Sequence, residues 1–367
     1  MSNINSKITH WSHKRQLLGK QGDDFEQVLN SIIGVYSNHP TASLSLFART
    51  KAFDEQTFYD IDDKKIAFRV PAMRQSVYWL PKEDASMIMD ATLDAADSPN
   101  WAKRYSQSGR EIPTENYEFW ANSILKTCTT PLTVKELKGK TIVPDDKLKF
   151  VLNRMAFERK LLRVGAKSLR SNIISYVSTK AWNGSNFASV DEQKAQVLLA
   201  KKYLKSFGPA RIKDFQWWVG TTLTKAKAAF EQIETVELED NLLLLKEDQK
   251  AFESFEIPTK NCIDILPQWD SYIMGYAPDG RERFVSKDNQ HHIYGKLGPT
   301  GGNGLGTVLV NGKANGSWSS RFKGTKMEVN LNLFAKLTQK ERTSVMDQFQ
   351  NIANLLKAKN IVFDNKP

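Results

Sequence analysis

The chain has 367 residues, 40% of them hydrophobic and 25% charged, with a formal net charge of +11 at pH 7. That length suits several domains and the composition is that of a folded globular protein, which suggests neither a disordered nor a membrane class. No apolar run approaches the roughly 18 to 20 residues of a bilayer span, and Met1–His10 (MSNINSKITH) lacks the apolar core of a secretory signal. A cytoplasmic, monomeric protein is expected. Cys128 and Cys262 belong to no CxxC or CxxH pattern, so reduced, buried thiols are expected. The sequence pI of 9.3 points to a polyanionic partner, bound through counterion release.

In chain order, Phe25–Ile33 is predicted as a helix, Gly34–Pro40 (GVYSNHP) as a turn and Leu44–Arg49 as a second helix. Ile66–Val70 and Ser76–Leu80 then form a hairpin. Further on, Pro131–Leu137 (PLTVKEL) reads as a short helix. Asp145 and Asp146 open a longer one, whose apolar positions Leu148, Val151, Leu152, Met155 and Phe157 fall largely on one side. Leu161–Val164 and Ile173–Val177 read as strands. Pro209–Phe215 (PARIKDF) matches PLTVKEL position by position, which predicts a duplicated unit. It lies between an amphipathic helix, Asp191–Ser206, and a further helix, Thr222–Ile233, with a hairpin over Val236–Leu238 and Leu242–Leu245. Helix, turn, helix and hairpin is the winged-helix order, and three such units fill most of the first 250 residues.

Asp264–Trp318 is rich in glycine and aromatic residues, with β-prone pieces at Arg283–Val285, Thr307–Val310 and Gly316–Trp318, so a small barrel or sheet is predicted. A helix over Thr338–Lys357 and a strand over Ile361–Phe363 close the chain. The fold class is therefore α+β: three tandem winged-helix units (1–112, 113–182 and 183–258) followed by a small β-barrel-like domain with a closing helix (259–367).

From Asp145 to Lys180 there are nine Lys or Arg against three acids, on the elements that enter grooves and touch phosphates. Lys147, Lys149, Arg154, Lys167 and Arg170 are the candidate contacts there, joined by Arg69 and Arg74 if the first hairpin faces DNA. Trp217 and Trp218 read as core residues. His10 and His13 are three apart and His291 and His292 adjacent, without Cys or carboxylate spacing of zinc type, so no metal is expected. Gly298–Gly306 lacks the Lys-Ser/Thr of a phosphate loop, and no nucleotide cofactor is expected.

Five blocks carry a family resemblance: Gly34–Arg49, Phe68–Leu80, Tyr203–Gly220, Leu266–Tyr276 and Thr307–Trp318. Their order and spacing resemble the tandem winged-helix proteins that include bacterial DNA glycosylases of the AlkZ type. The resemblance implies binding of double-stranded DNA and hydrolysis of the N-glycosidic bond of alkylated or crosslinked purines. The similar glycosylases place Gln-x-Gln, or a variant, after the glycine of the GVYSNHP-like turn to hold the sugar and the attacking water. Tyr36 and Asn38 occupy those positions here and are the implied catalytic residues. Asn38 keeps a carboxamide one methylene shorter, whereas Tyr36 departs in size and chemistry. That departure leaves a rival reading, a non-catalytic, regulatory DNA-binding protein on the same scaffold.

Overall fold

A computed structural model describes residues 3–37, 41–94, 116–165, 168–171, 173–295 and 303–364. Asn38 and Lys167 lie outside the described residues. None of the described helices is long and apolar enough to cross a membrane.

The chain opens with α1 (Asn3–Arg15), α2 (Phe25–Ser31), β1 (Val35–Tyr36), α3 (Thr41–Phe47) and α4 (Glu55–Asp63), followed by the hairpin β2 (Ala67–Pro71) and β3 (Val77–Pro81). Asp24 and Asp54 start α2 and α4 by accepting the amides of Gln27 and Thr57, which satisfies otherwise orphaned donors. Two of these elements differ from expectation. The turn at Gly34–Pro40 contains β1, because its first residues pair with β3 (Val35 with Trp79, Tyr36 with Tyr78). Helix α4 was not predicted: its acidic stretch buries only Phe58 and Ile61, too few anchors for a readable period.

Helix α5 (Lys82–Thr92) leads to α6 (Tyr117–Thr127), β4 (Leu132–Thr133), α7 (Val134–Leu137), α8 (Asp145–Phe157), and the strands β5 (Leu161–Val164) and β6 (Ser175–Ser178). After α9 (Thr179–Asn183) come α10 (Glu192–Phe207), α11 (Ile212–Val219), α12 (Leu223–Phe230) and the hairpin β7 (Thr235–Glu237) and β8 (Leu243–Leu245). PLTVKEL is not a helix from its proline onward. Leu132 pairs with Tyr176 of β6, Thr133 caps α7, and the Glu136 side chain closes a capping box. PARIKDF does the same work: Ala210 bridges Leu243, the Arg211 amide donates to Asp214 at 2.9 Å, and the helix starts at Ile212. The seventh residues, Leu137 and Phe215, are both fully buried. The match is thus between two strand-to-helix corners, which need a residue that can pair, a cap, an acid and an anchor.

The β2–β3 and β5–β6 hairpins merge, with β1 and β4, into one six-stranded sheet, β1-β3-β2-β5-β6-β4. Its junction is the pair Arg69 and Arg163, 6% and 5% exposed. One core extends from Phe68 and Val70 of β2 through α5 to Tyr203, Phe207 and Trp218 of α10 and α11, and on to Tyr272 and Phe284.

The last part holds α13 (Gln249–Glu253), β9 (Ile263–Leu266), α14 (Ser271–Met274), α15 (Gln290–Tyr294), β10 (Gly306–Val310), β11 (Lys313–Lys323), β12 (Lys326–Leu333), α16 (Gln339–Leu355) and β13 (Asn360–Phe363). The sheet order is β13-β12-β11-β10-β9, antiparallel except for the β12–β13 pair. Strands β9 and β13 thus stand at two edges of a linear order, where a barrel-like closure had been expected. Residues 283–285 are not a strand. A 3₁₀ turn, Pro278–Arg283, delivers Phe284 into the core against Tyr272 and Tyr276, and the Arg283 guanidinium donates to the Pro209 carbonyl at 2.8 Å. Burial of the aromatic ring outweighs the local β-propensity.

Two carboxylates in this region set a pH dependence. Asp279 accepts Arg211 at 2.9 Å and Lys213 at 2.8 Å; burial raises its pKa, and those bonds outweigh burial and leave it at about 2. Glu328 of β12, hydrogen-bonded by Arg321, Lys326 and Lys323, also lies at about 2. Both depart downward from ordinary values of 3.8 and 4.5. The unfolded chain therefore binds more protons between these limits, so stability present above the unfolded values is lost as pH falls toward 2. Denaturation midpoints measured across that window should drop steadily, and Asp279→Asn with Glu328→Gln should flatten the slope. An unchanged slope in the double variant would assign the acid lability elsewhere.

Candidate nucleic-acid interface

Strand β1 fixes the geometry of the candidate site. Gly34 has φ +100°, and a Cβ there would lie 2.4 Å from the Trp79 carbonyl oxygen, so only glycine lets the strand enter beside β3. Tyr36 then faces two aromatic rings. Its centroid is 5.7 Å from Tyr78, edge to face, and 5.0 Å from Trp269 at 56°. The loop carrying Trp269 is held by the Trp269 amide, which donates to Gly304 at 2.8 Å, and by its indole N–H, which donates to Asn303 Oδ1 at 3.1 Å. All three rings are half-buried.

Next to this cluster, the Ser37 amide donates to the Val77 carbonyl at 2.9 Å. The Ser37 hydroxyl is buried with no hydrogen-bond partner among the described residues. A buried hydroxyl without a partner costs free energy, so this position is primed to accept a water or ligand group. Burial raises the phenol pKa of Tyr36, and burial, then Tyr36, raises that of Tyr78; both are neutral donors at physiological pH.

A cationic neighbour completes the surface. Arg74, exposed at the turn of the β2–β3 hairpin with φ +52°, sits 4.3 Å over the ring of Trp217. Arg281, fully buried, packs on the same ring from the interior at 4.9 Å. Tyr36, Tyr78, Arg74 and Trp217 thus connect the β1–β3 segment to α11, with Trp269 supplied from just after β9. An exposed guanidinium beside aromatic faces suits unstacked bases and their phosphates.

The remaining candidates separate. Arg69 is turned inward, 4.4 Å over Trp79, and donates to the Gly165 carbonyl at 3.2 Å; burial, reinforced by Arg163, lowers its pKa to about 10. It is buried at the junction of the β2–β3 and β5–β6 hairpins. Arg154 stacks at 3.6 Å on Tyr117 and pairs with Glu158 at 2.8 Å. Lys147 is half-buried, while Lys149 is exposed on α8. Arg170 is exposed but lies 4.4 Å over Phe322 and donates to Gly324 at 3.1 Å. Trp218 is a core residue, 4% exposed, whereas Trp217 is half-buried under Arg74. Tyr78, Trp269 and Ser37 were not singled out from sequence. Tyr78 and Trp269 stood inside two of the quoted blocks, but nothing local tells that segments so distant in sequence converge.

No curated protein matches the chain. Among solved structures, Streptomyces sahachiroi DNA glycosylase AlkZ is similar in fold, with a TM-score of 0.74 at 17% sequence identity over 98% of each chain. The family described as DNA glycosylase AlkZ-like matches residues 15–355, from the end of α1 to the end of α16. With that span covering the six-stranded sheet, the Tyr36 cluster and four of the five strands of the C-terminal sheet, the chain belongs to the AlkZ-like DNA glycosylase family.

Proposed function

We propose that the protein hydrolyses the N-glycosidic bond of alkylated purines in double-stranded DNA, with the extruded base received by Tyr36, Tyr78 and Trp269. The observation that carries this reading is the half-buried aromatic cluster set beside the unpartnered Ser37 hydroxyl at the end of β1. Alkylation at a ring nitrogen makes the purine cationic. Aromatic faces attract such a base more strongly than a neutral one, and the cation is already a good leaving group. What the protein must add is a positioned water and stabilisation of an oxocarbenium-like sugar. The Asn38 carboxamide would orient the water, and Tyr36, standing where relatives carry glutamine, would contact the base or sugar.

In the same reading the three helix–helix–hairpin segments act as winged-helix units, with boundaries near residues 112, 182 and 258, and hold the duplex mainly through phosphates. The protein would work as a cytoplasmic or nucleoid monomer without a nucleotide cofactor. Release of bases from duplexes treated with simple and bifunctional alkylating agents tests the activity directly. A second reading, a DNA-binding protein that has lost the chemistry, is favoured by one observation: Tyr36 packs its ring into the cluster where a carboxamide would otherwise point. Tight binding of alkylated duplexes without base release would support it.

Duplex binding has its own expected outcome. Each phosphate contact adds roughly 0.9 to the slope of log affinity against log salt. Lys149→Ala with Lys167→Ala should flatten that slope by up to about two in anisotropy titrations. Arg154→Ala should leave it unchanged, because this guanidinium is occupied by Glu158 and Tyr117. A wild-type slope in the lysine double variant would move the duplex away from α8.

A further inference from the structure

His13 at the end of α1 meets Cys262 and Asp264 at the start of β9, a grouping that the histidine spacing in the sequence does not reveal. His13 Nε2 lies 2.7 Å from Asp264 Oδ2, and Cys262 Sγ lies 3.6 Å from the same oxygen. One ligand atom from each of the three residues falls within 4.8 Å of the others. The second carboxylate oxygen, Oδ1, accepts the Gly19 amide at 2.6 Å, which orients Oδ2 toward the other two groups. Gly19 also makes room: it has φ +73°, and a Cβ there would stand 3.0 Å from Cys262 Sγ.

We propose that His13, Cys262 and Asp264 form a mononuclear zinc-type site whose open fourth position faces the adjoining cleft. Tetrahedral zinc, with bonds of about 2.0 Å to nitrogen and oxygen and about 2.3 Å to sulfur, sets oxygen and sulfur roughly 3.5 Å apart and nitrogen and oxygen roughly 3.3 Å apart. The Cys262–Asp264 spacing is already near that value, and His13 must draw back only about half an ångström. A nitrogen, a sulfur and a single carboxylate suit Zn²⁺ rather than Mg²⁺ or Ca²⁺, which take oxygen shells.

All three residues line a cleft of about 1200 Å³ whose wall also carries Lys14, Lys20 and Lys260. Three protein ligands and an open position in a basic cleft would take water or an anionic oxygen as the fourth ligand. The ion would also tie α1 to the C-terminal sheet. This site is separate from the Tyr36 cluster, and its test does not depend on glycosylase activity.

Full-length, metal-free protein titrated with Co²⁺ should bind one ion and develop a thiolate-to-cobalt charge-transfer band that Zn²⁺ displaces. Cys262→Ser should abolish the band, and Asp264→Asn should weaken Zn²⁺ at least about tenfold. Cys128→Ser should change neither. Zinc-edge X-ray absorption of the wild-type chain, expected to show one sulfur among nitrogen and oxygen neighbours, keeps the test independent of whether the variants fold. Failure of the wild type to take up Co²⁺, a band that persists in Cys262→Ser, or a zinc shell without sulfur would each overturn the site.

Discussion

Replacing Asp270 with alanine is expected to destabilise the protein by about 3–5 kcal/mol, the usual cost of stripping one partner from a buried ion pair. Arg49 and Asp270 both have fully buried side chains and meet through two bonds of 2.7 Å. Arg49 also donates to the Gln16 carbonyl at 2.8 Å and the Ser45 carbonyl at 2.9 Å, while the Ser45 hydroxyl donates to Asp270 at 2.8 Å. The network clamps α3 to the chain after α1 and to the segment that opens α14. Asp270→Ala would leave the guanidinium in the interior without its counter-charge. The double variant Arg49→Met, Asp270→Leu should be less destabilised than Asp270→Ala alone, since an apolar pair removes the desolvation cost of both ions. Guanidinium chloride unfolding of the three variants checks this. Additive losses in the double variant would show that the two charges do not act as a pair.

The second large effect concerns chemistry. Asn38→Ala is expected to leave affinity for alkylated duplexes nearly intact yet slow base release roughly a hundredfold, since one positioning group contributes about 3 kcal/mol to the transition state. Tyr36→Phe should cost much less, because the ring contacts to Tyr78 and Trp269 survive the loss of the hydroxyl. Glutamine at both positions should raise the rate. A wild-type protein that binds such duplexes and releases no base, with the double glutamine variant equally inert, would sink the enzymatic reading in favour of a binding protein.

Sequence by itself determined the elements whose signals are local. The periodic apolar face of α8 and the repeated pattern at Pro131 and Pro209 announce themselves within a few residues, because helical periods act over one or two turns. The five motif blocks located the turn that carries Tyr36 without revealing what surrounds it. Only the tertiary structure decided which arginines are free. Arg69 and Arg74 stand five positions apart on one hairpin, yet Arg69 is buried at the seam with β5 and Arg74 is exposed over Trp217. No local pattern separates them, because the partner strand and the partner ring come from distant segments of the chain. The same holds for Tyr36 with Trp269 and for His13 with Cys262 and Asp264: sequence spacing carries no information on groups that long-range strand pairing and core packing bring within a few ångströms of each other.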